Sequence, residues 1–253
     1  MRELDCSGEV ERASDGDSPV VWAAQGREGR GLGPGVRAWR HRGALVVASP
    51  SPQQDRLMVR GDTADAGALV RRVLEEVGAS YRLLGEAVLV DELVRQLPGL
   101  VPVHHFYWME TTSPSGVDTP EVRWLDAHEE KRAAVLFDRF FPDSYAQPGR
   151  AGVRRWGGVV GEVDGGGEAR PLVVAADAWS AQGCGFMGGV IAHPSVRGRG
   201  LARAVSGFVL DALVRRYGRA ALMVMAGNIP AITTYERLGM VKRRFGAARL
   251  QTG

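Results

Sequence analysis

The stretch VIAHPSVRGRGLARA, residues 190–204, restricts the fold of this chain more than any other. It begins as an apolar strand, turns at a His-Pro pair and crosses a loop with two glycines. From Leu201 to Leu213 apolar residues then recur at helical spacing, and the pattern stops at Gly218. The stretch therefore predicts a strand, a loop and a helix in direct succession.

A helix that begins after such a loop presents unpartnered N–H groups at the positive end of its dipole, where an anion can bind. Gly198 and Gly200 leave the backbone open to close approach, and Arg197 and Arg199 add positive charge. The loop therefore predicts a site for an anion such as a pyrophosphate. The alternative is a plain turn whose glycines serve geometry alone.

The same stretch resembles the signature of the GNAT superfamily of N-acetyltransferases. In that signature Arg or Gln, two residues, Gly, one residue and then Gly or Ala form the pyrophosphate loop for acyl-coenzyme A. The matching positions are Arg197, Gly200 and Ala202. Asn228 and then AITTYERLGM, residues 231–240, follow in the order of the family's later elements. The resemblance covers about residues 118–253.

The resemblance implies acetyl-coenzyme A as co-substrate and no metal. It assigns Tyr235 as the general acid towards the coenzyme A thiolate, and the alternative for Tyr235 is a packing role in an amphipathic helix. For Asn228, the alternative to a cofactor contact is a structural role as a helix N-cap. The cofactor contacts implied by the resemblance are Val190, Ile191, Ala192, Arg197, Gly198, Arg199, Gly200, Leu201, Ala202 and Asn228.

One expected residue is missing. GNAT enzymes commonly deprotonate the acceptor through a carboxylate on the central strands, but the strand GCGFMGGVIAHP, residues 183–194, contains none. Asp177, Glu162 and Glu110 are possible substitutes, and Cys184 lies nearby in sequence. The spacing does not choose among them, so no base is assigned.

Composition narrows the class of partner. The net charge is only +3, and the arginines are spread along the chain, which argues against nucleic acid. The opening residues lack an apolar signal core and no apolar run is long enough for a membrane span, so the sequence predicts no membrane association. Cys6 and Cys184 lie too far apart in sequence to indicate a disulfide framework or a zinc site. These features predict a cytoplasmic protein.

The chain is 253 residues long, which suits two domains of ordinary size. The prediction is a flexible leader at 1–18, an N-terminal α/β domain at 19–110, a linker at 111–117 and a GNAT acetyltransferase domain at 118–253. In the latter an Asp-Gly hairpin turn is predicted near Gly165. The expected fold is mixed α/β, with a mostly antiparallel central sheet flanked by helices.

The smaller N-terminal domain has hairpin strands, two amphipathic helices and a closing aromatic strand. The first of these helices has an N-cap candidate in Asp62 and an apolar stripe at Leu69, Val73, Leu74 and Val77. One hypothesis is that it is a degenerate GNAT-like copy without the phosphate loop, which would shape the acceptor cleft. The predicted function is transfer of an acetyl group from acetyl-coenzyme A to an amine on a small molecule or protein. The alternative is a non-catalytic module that binds or senses acyl-coenzyme A, and a homodimer is left open.

Overall fold

The computed structural model describes residues 1–26, 31–51, 53–162 and 168–251. Its strands are β1 (Arg2–Leu4), β2 (Arg37–His41), β3 (Ala44–Ser49), β4 (Arg56–Arg60), β5 (Arg82–Glu86), β6 (Leu100–Thr111), β7 (Arg123–Trp124), β8 (Val153–Gly161), β9 (Arg170–Ala178), β10 (Gly185–Ala192), β11 (Ala220–Met225) and β12 (Val241–Leu250). Its helices are α1 (Ser7–Ala13), α2 (Ser18–Ala23), α3 (Thr63–Val77), α4 (Ala87–Gln96), α5 (Ala127–Phe140), α6 (Leu201–Tyr217) and α7 (Ile229–Glu236). A 3-10 turn spans Pro194–Val196.

All strands that the structure describes join one 12-stranded sheet in the order β1-β2-β3-β4-β5-β12-β6-β11-β10-β9-β8-β7. Within the described residues only β4 with β5 and β10 with β11 pair in parallel, and the other neighbours are antiparallel. The predicted fold class, a mixed α/β fold with a mostly antiparallel sheet, is confirmed.

The order of elements occurs twice along the chain. In each half one short strand and helical structure precede three strands, a helix, a strand, a helix and a final strand. The sheet order reads the same from both ends once β1–β6 are matched with β7–β12. The two final strands are exchanged, because β12 lies between β5 and β6 while β6 pairs with β11. The sheet therefore runs without a break across the predicted 111–117 linker, and the division into domains stays a prediction.

Helices cover both faces of the sheet. Buried side chains of α3, α4, α6 and α7 pack on one face, and those of α1, α2 and α5 pack on the other. The helix boundaries follow local chemistry. Asp62 caps α3 by accepting from the Asp65 N–H, and Asp126 and Glu129 form a capping box at the start of α5.

The prediction of a flexible leader over 1–18 is wrong. Residues 2–4 form β1, which pairs with β2, and residues 7–13 form α1. The physical reason is burial of Leu4 and Val10, whose exposed fractions are 3% and 0%. Burial of these two apolar side chains, together with the pairing of β1 with β2, holds this otherwise polar segment against the sheet.

The Asp-Gly turn predicted near Gly165 lies outside the described residues. Among the helices that the structure describes, none combines the length and apolar character that crossing a membrane requires.

Candidate functional site

Strands β10 and β11 diverge beside the predicted anion loop. They pair at Gly185 with Ala220 and at Phe186 with Ala221, and no further pair joins them in the described part of the chain. On its other side β10 remains paired with β9 as far as Ala192. The edge of β10 that faces β11 is therefore open to a ligand that binds as an added strand.

The predicted cofactor residues Val190, Ile191 and Ala192 all lie on this open edge. Ile191 packs in the core under α5, while Val190 and Ala192 are half-buried on the side of α6. Their backbone groups, not their side chains, are the ones that the divergence of the strands leaves available.

A bulge interrupts β10 at the same place. Gly188 is paired with Ala176 and Ile191 with Val174, so two residues of β10 face a single residue of β9. Gly189 has a φ of +61°, and a Cβ there would lie 2.6 Å from the Trp156 ring. Only glycine fits this position, and the bulge leaves the extra residue of β10 without a partner in the regular ladder.

Substitution of Gly189 by alanine should therefore destabilise the fold, by about 1–3 kcal/mol, through strain and overpacking. Gly188→Ala is the matched control, because its Cβ would meet nothing nearer than Ala146 at 3.3 Å. Its expected cost is below about 1 kcal/mol. Urea unfolding of both variants measures the difference, and equal losses would contradict the steric account.

The N-terminus of α6 lies one loop beyond this edge. Gly198 and Gly200 have φ values of +77° and +79°, and a Cβ on either would meet no protein atom within 4 Å. Glycine is needed here for the left-handed backbone, while the loop around it is open. Gly200 is the N-cap residue, no side chain caps the helix, and its first turn, which begins with Leu201 and Ala202, carries no acid. The first-turn N–H groups are thus available to an external anion.

The equivalent helix of the first half differs in its charge. Helix α3 begins after β4 as α6 begins after β10, but Asp62 caps it and Asp65 stands in its first turn. These carboxylates already occupy the positive end of the α3 dipole and would repel a phosphate. The two halves therefore contain one open and one closed helix N-terminus.

The two predicted arginines are placed differently. Arg197 donates from Nε to the Ala192 carbonyl at 3.3 Å, which ties the loop back to the end of β10. Arg199 is exposed. Neither forms an ion pair among the described residues, so both guanidinium groups retain uncompensated charge beside the helix N-terminus.

Asn228 is the N-cap residue of α7, and its Oδ1 accepts from the Ala231 N–H at 3.3 Å. The capping role is therefore observed. Its side-chain amide is exposed, and contact with a cofactor arm stays a prediction.

Tyr235 lies on the buried face of α7 with an exposed fraction of 6%, in the apolar core shared with α6 and β11. Burial raises the pKa of its phenol well above the usual value. The hydroxyl therefore stays protonated at neutral pH and can act as a donor. This placement is compatible with a packing role for the Tyr235 ring and with proton donation by its hydroxyl.

Two of the acidic candidates for the base, Asp177 and Glu110, have other partners. Asp177 is buried on the α6 face, accepts from Ser180 at 2.6 Å and lies 3.7 Å from Arg155. Glu162 is exposed just past the end of β8.

Glu110 lies on β6, where its carboxylate accepts from Ser18, from Trp108 Nε1 at 2.7 Å and from Arg219 at 3.3 Å. Burial raises the pKa of the Cys184 thiol to about 12, so Cys184 is no thiolate at neutral pH. No residue of β10 supplies a base, and none is assigned.

The sequence does not identify a group of residues around Trp179, which lies beside the β10 bulge on the face of the sheet away from α6. Trp179 has a φ of +52°, which is rare for a bulky residue and marks a locally strained position. Gly152 makes room for it, because a Cβ at Gly152 would lie 2.3 Å from the indole ring. The ring in turn lies 3.6 Å from the place of a Cβ on Gly188. No local sequence motif indicates that these residues lie together. The only signal in the sequence is an isolated Trp after a buried strand.

A second opening lies in the first half, at the carboxyl ends of β4 and β5. It is a cavity of about 530 Å³ whose polar lining includes Arg60, Asp17 and Glu86. Arg60 lies 3.9 Å from Asp17, so these charges compensate one another. With the closed α3 N-terminus beside it, this cavity lacks the features of a pyrophosphate site. No group of His, Cys, Asp and Glu in the described residues could hold a metal ion.

A family model described as FR47-like protein, which is GNAT-related, matches residues 167–248. A solved GCN5-related N-acetyltransferase from Kribbella flavida superposes with a TM-score of 0.61 at 18% identity, over 95% of this chain and 96% of that one. The chain has the GNAT fold.

Two further GNAT structures agree. A GCN5-related N-acetyltransferase from Sphaerobacter thermophilus has a TM-score of 0.55 at 19% identity, over 88% of this chain and 82% of that chain. A GCN5-related N-acetyltransferase-like protein from Streptococcus suis has a TM-score of 0.55 at 14% identity, over 97% and 100%. No protein of curated function matches the sequence. The resemblance to the GNAT superfamily is thus confirmed, and at these identities the solved structures speak to the fold alone.

Proposed function

We propose that this protein is an N-acyltransferase that transfers an acetyl group from acetyl-coenzyme A to an amine in the cytoplasm. The observation that carries the proposal is the uncapped N-terminus of α6 beside the open edge of β10. The helix N-terminus can bind an anion and the strand edge can form strand-like hydrogen bonds, and a pyrophosphate joined to a pantetheine arm requires both. The closed N-terminus of α3 argues for one cofactor site in the second half.

The residues present fit this co-substrate. The backbone N–H groups of residues 198–203 would bind the pyrophosphate, with Arg197 and Arg199 adding charge. The β10 edge from Val190 to Ala192 would pair with the pantetheine amides. Backbone N–H groups that the bulge at Gly189 leaves outside the regular ladder would stabilise negative charge on the thioester oxygen during attack.

In the reaction, the free amine forms a bond from nitrogen to the thioester carbonyl carbon, and the carbon–sulfur bond breaks. Tyr235 donates its proton to the departing sulfur, and the proton lost by the nitrogen restores the phenol through solvent. The chain's own contribution is alignment of the thioester along β10 and a protonated donor on α7. An amine-bearing small molecule or protein is the proposed acceptor.

Two measurements separate this function from a non-catalytic acyl-coenzyme A sensor. Acetyl-coenzyme A at 100 times its Kd should stabilise the folded protein by about 2.7 kcal/mol, seen as a higher melting temperature. Incubation with an amine panel should then release free coenzyme A thiol. A stabilised protein that releases no thiol with any amine supports the sensor, and an unchanged melting temperature removes both functions.

A further inference from the structure

The face of the sheet opposite α6 carries two arginines near the bulge of β10. Arg56 and Arg82 begin β4 and β5 and are direct neighbours in the parallel register. The guanidinium of Arg56 lies against two indoles, 5.2 Å from the Trp22 ring centroid and 5.5 Å from that of Trp179. Its burial lowers the pKa of Arg56 to about 10. An arginine held in this way is oriented before any ligand arrives.

Neither arginine forms an ion pair with any described residue. Arg82 donates to the Tyr145 hydroxyl at 3.3 Å, and its buried Nε has no hydrogen-bond partner in the described structure. Asp55, the carboxylate next to Arg56 in sequence, attracts Arg56 electrostatically but forms no ion pair with it, and its oxygens accept from the Ser51 N–H at 2.9 Å and from Ser80 at 2.8 Å. A buried unpartnered guanidinium donor is costly, and an anionic ligand would remove that cost.

Contacts on both sides connect this pair to the reacting end of the proposed thioester site. On one side Trp179 lies against Arg56 and also against the place of a Cβ on Gly188. On the other side Tyr145, which contacts Arg82, is followed by Ala146, whose Cβ lies 3.3 Å from that same place. The two arginines and the bulge are thus joined through Trp179 on one side and residues 145–146 on the other.

We propose that Arg56 and Arg82 bind an anionic oxygen group of the acceptor, so that the preferred substrate is an amine that also carries a carboxylate. The planar Arg56 guanidinium contacts two indole rings and forms no hydrogen bond or ion pair with a described residue, so its N–H groups remain for a bidentate contact with such a group. Arg82 supplies the second donor. This inference rests on the proposed function, because it names the acceptor class of the same site.

The test is a comparison of matched acceptors. Common amino acids are compared with their carboxamides and with the decarboxylated amines, and phosphoethanolamine is compared with ethanolamine, which distinguishes a carboxylate from a phosphate. Arg56→Met keeps much of the packing against the two indoles but removes the charge. Arg56→Lys keeps a positive charge but lacks the paired N–H groups that form a bidentate contact. Arg72→Met, on the exposed surface of α3, is the control.

Removal of one charge-assisted contact should raise the KM of the acidic acceptor by about 10- to 100-fold in Arg56→Met. The KM of the neutral counterpart should change little, with partial recovery in Arg56→Lys and no effect of Arg72→Met. Acetyl-coenzyme A affinity is measured separately and should be the same in all four proteins.

Equal use of acids and carboxamides, or an equal loss for both in Arg56→Met, would overturn the carboxylate proposal while leaving the acyltransferase intact. A preference for phosphoethanolamine over the amino acids would replace the carboxylate with a phosphate. If acetyl-coenzyme A binds but no amine is acylated, binding of the same acids to the wild type and to Arg56→Met is compared by calorimetric titration. Binding that does not depend on Arg56, or no binding at all, rejects the inference. Failure of acetyl-coenzyme A itself to bind would instead remove the proposed function.

Discussion

Replacing Tyr235 by phenylalanine is expected to slow turnover by about 100-fold, the lower range of a general acid's contribution. The affinity for acetyl-coenzyme A should stay within about twofold, because the change removes one hydroxyl from a side chain whose ring supplies the packing. Stopped assays of thiol release give turnover, and calorimetry gives the affinity.

Tyr217→Phe is the matched control. Tyr217 lies against the same core, and its buried hydroxyl has no hydrogen-bond partner in the described structure, so its loss should leave turnover unchanged. Equal turnover in Tyr235→Phe and the wild type would remove Tyr235 as the acid and leave it as a packing residue. Equal slowing in both variants would show a general effect on the core.

The pH profile adds a second readout. Burial raises the pKa of Tyr235 above its usual value of 10.0, so the phenol remains protonated as pH rises through 10. Any decline in turnover that the loss of this proton causes should therefore begin above that pH. A decline centred near the usual tyrosine pKa would mean that the phenol is exposed in the working enzyme.

The second large effect is expected from a single charge at the N-terminus of α6. Gly200→Asp and Gly200→Asn place side chains of nearly the same shape in the left-handed position, where Asn and Asp are the best tolerated residues after glycine. Only Asp adds a negative charge. At about 5 Å from one unit of phosphate charge, with an effective dielectric near 20, that charge costs roughly 3 kcal/mol, and salt screening reduces the cost to roughly 1–3 kcal/mol.

Acetyl-coenzyme A affinity should therefore be about 10- to 100-fold lower in Gly200→Asp than in Gly200→Asn. The free energies of unfolding of the two variants should agree within about 1 kcal/mol, because a carboxylate at a helix N-terminus is itself favourable. Raising the salt concentration should narrow the difference in affinity. Equal affinities at low salt would place the pyrophosphate elsewhere.

The sequence predicted those parts of the fold that local pattern determines. Helix α3 follows from its apolar stripe and the Asp62 cap, and α6 from its spacing and the closing Gly218. Strand β5 was missed, because RLLGE lies between two helices and is a strand only through pairing with β4 and β12. The exchange of β6 and β12 was equally out of reach, since it depends on pairing between residues more than a hundred positions apart.

The residues of the candidate site also fall into those that the sequence could identify and those that only the fold brings together. The loop from Arg197 to Ala202 is contiguous, so its glycines and charges could be recognised together in the sequence. The group around Arg56, Tyr145 and Trp179 comes from three distant segments, and nothing local marks them as neighbours. The fold therefore brings together the residues of the proposed acceptor site, whereas the sequence alone indicated the proposed cofactor loop.

Hydrogen exchange at single amides tests the central claim most directly. If acetyl-coenzyme A binds the open helix N-terminus, it should slow exchange at residues 198–203 and along 187–192, and leave residues 61–65 at the closed α3 N-terminus unchanged. Protection at 61–65 without protection at 198–203, or no protection at either helix at saturating acetyl-coenzyme A, would contradict the account.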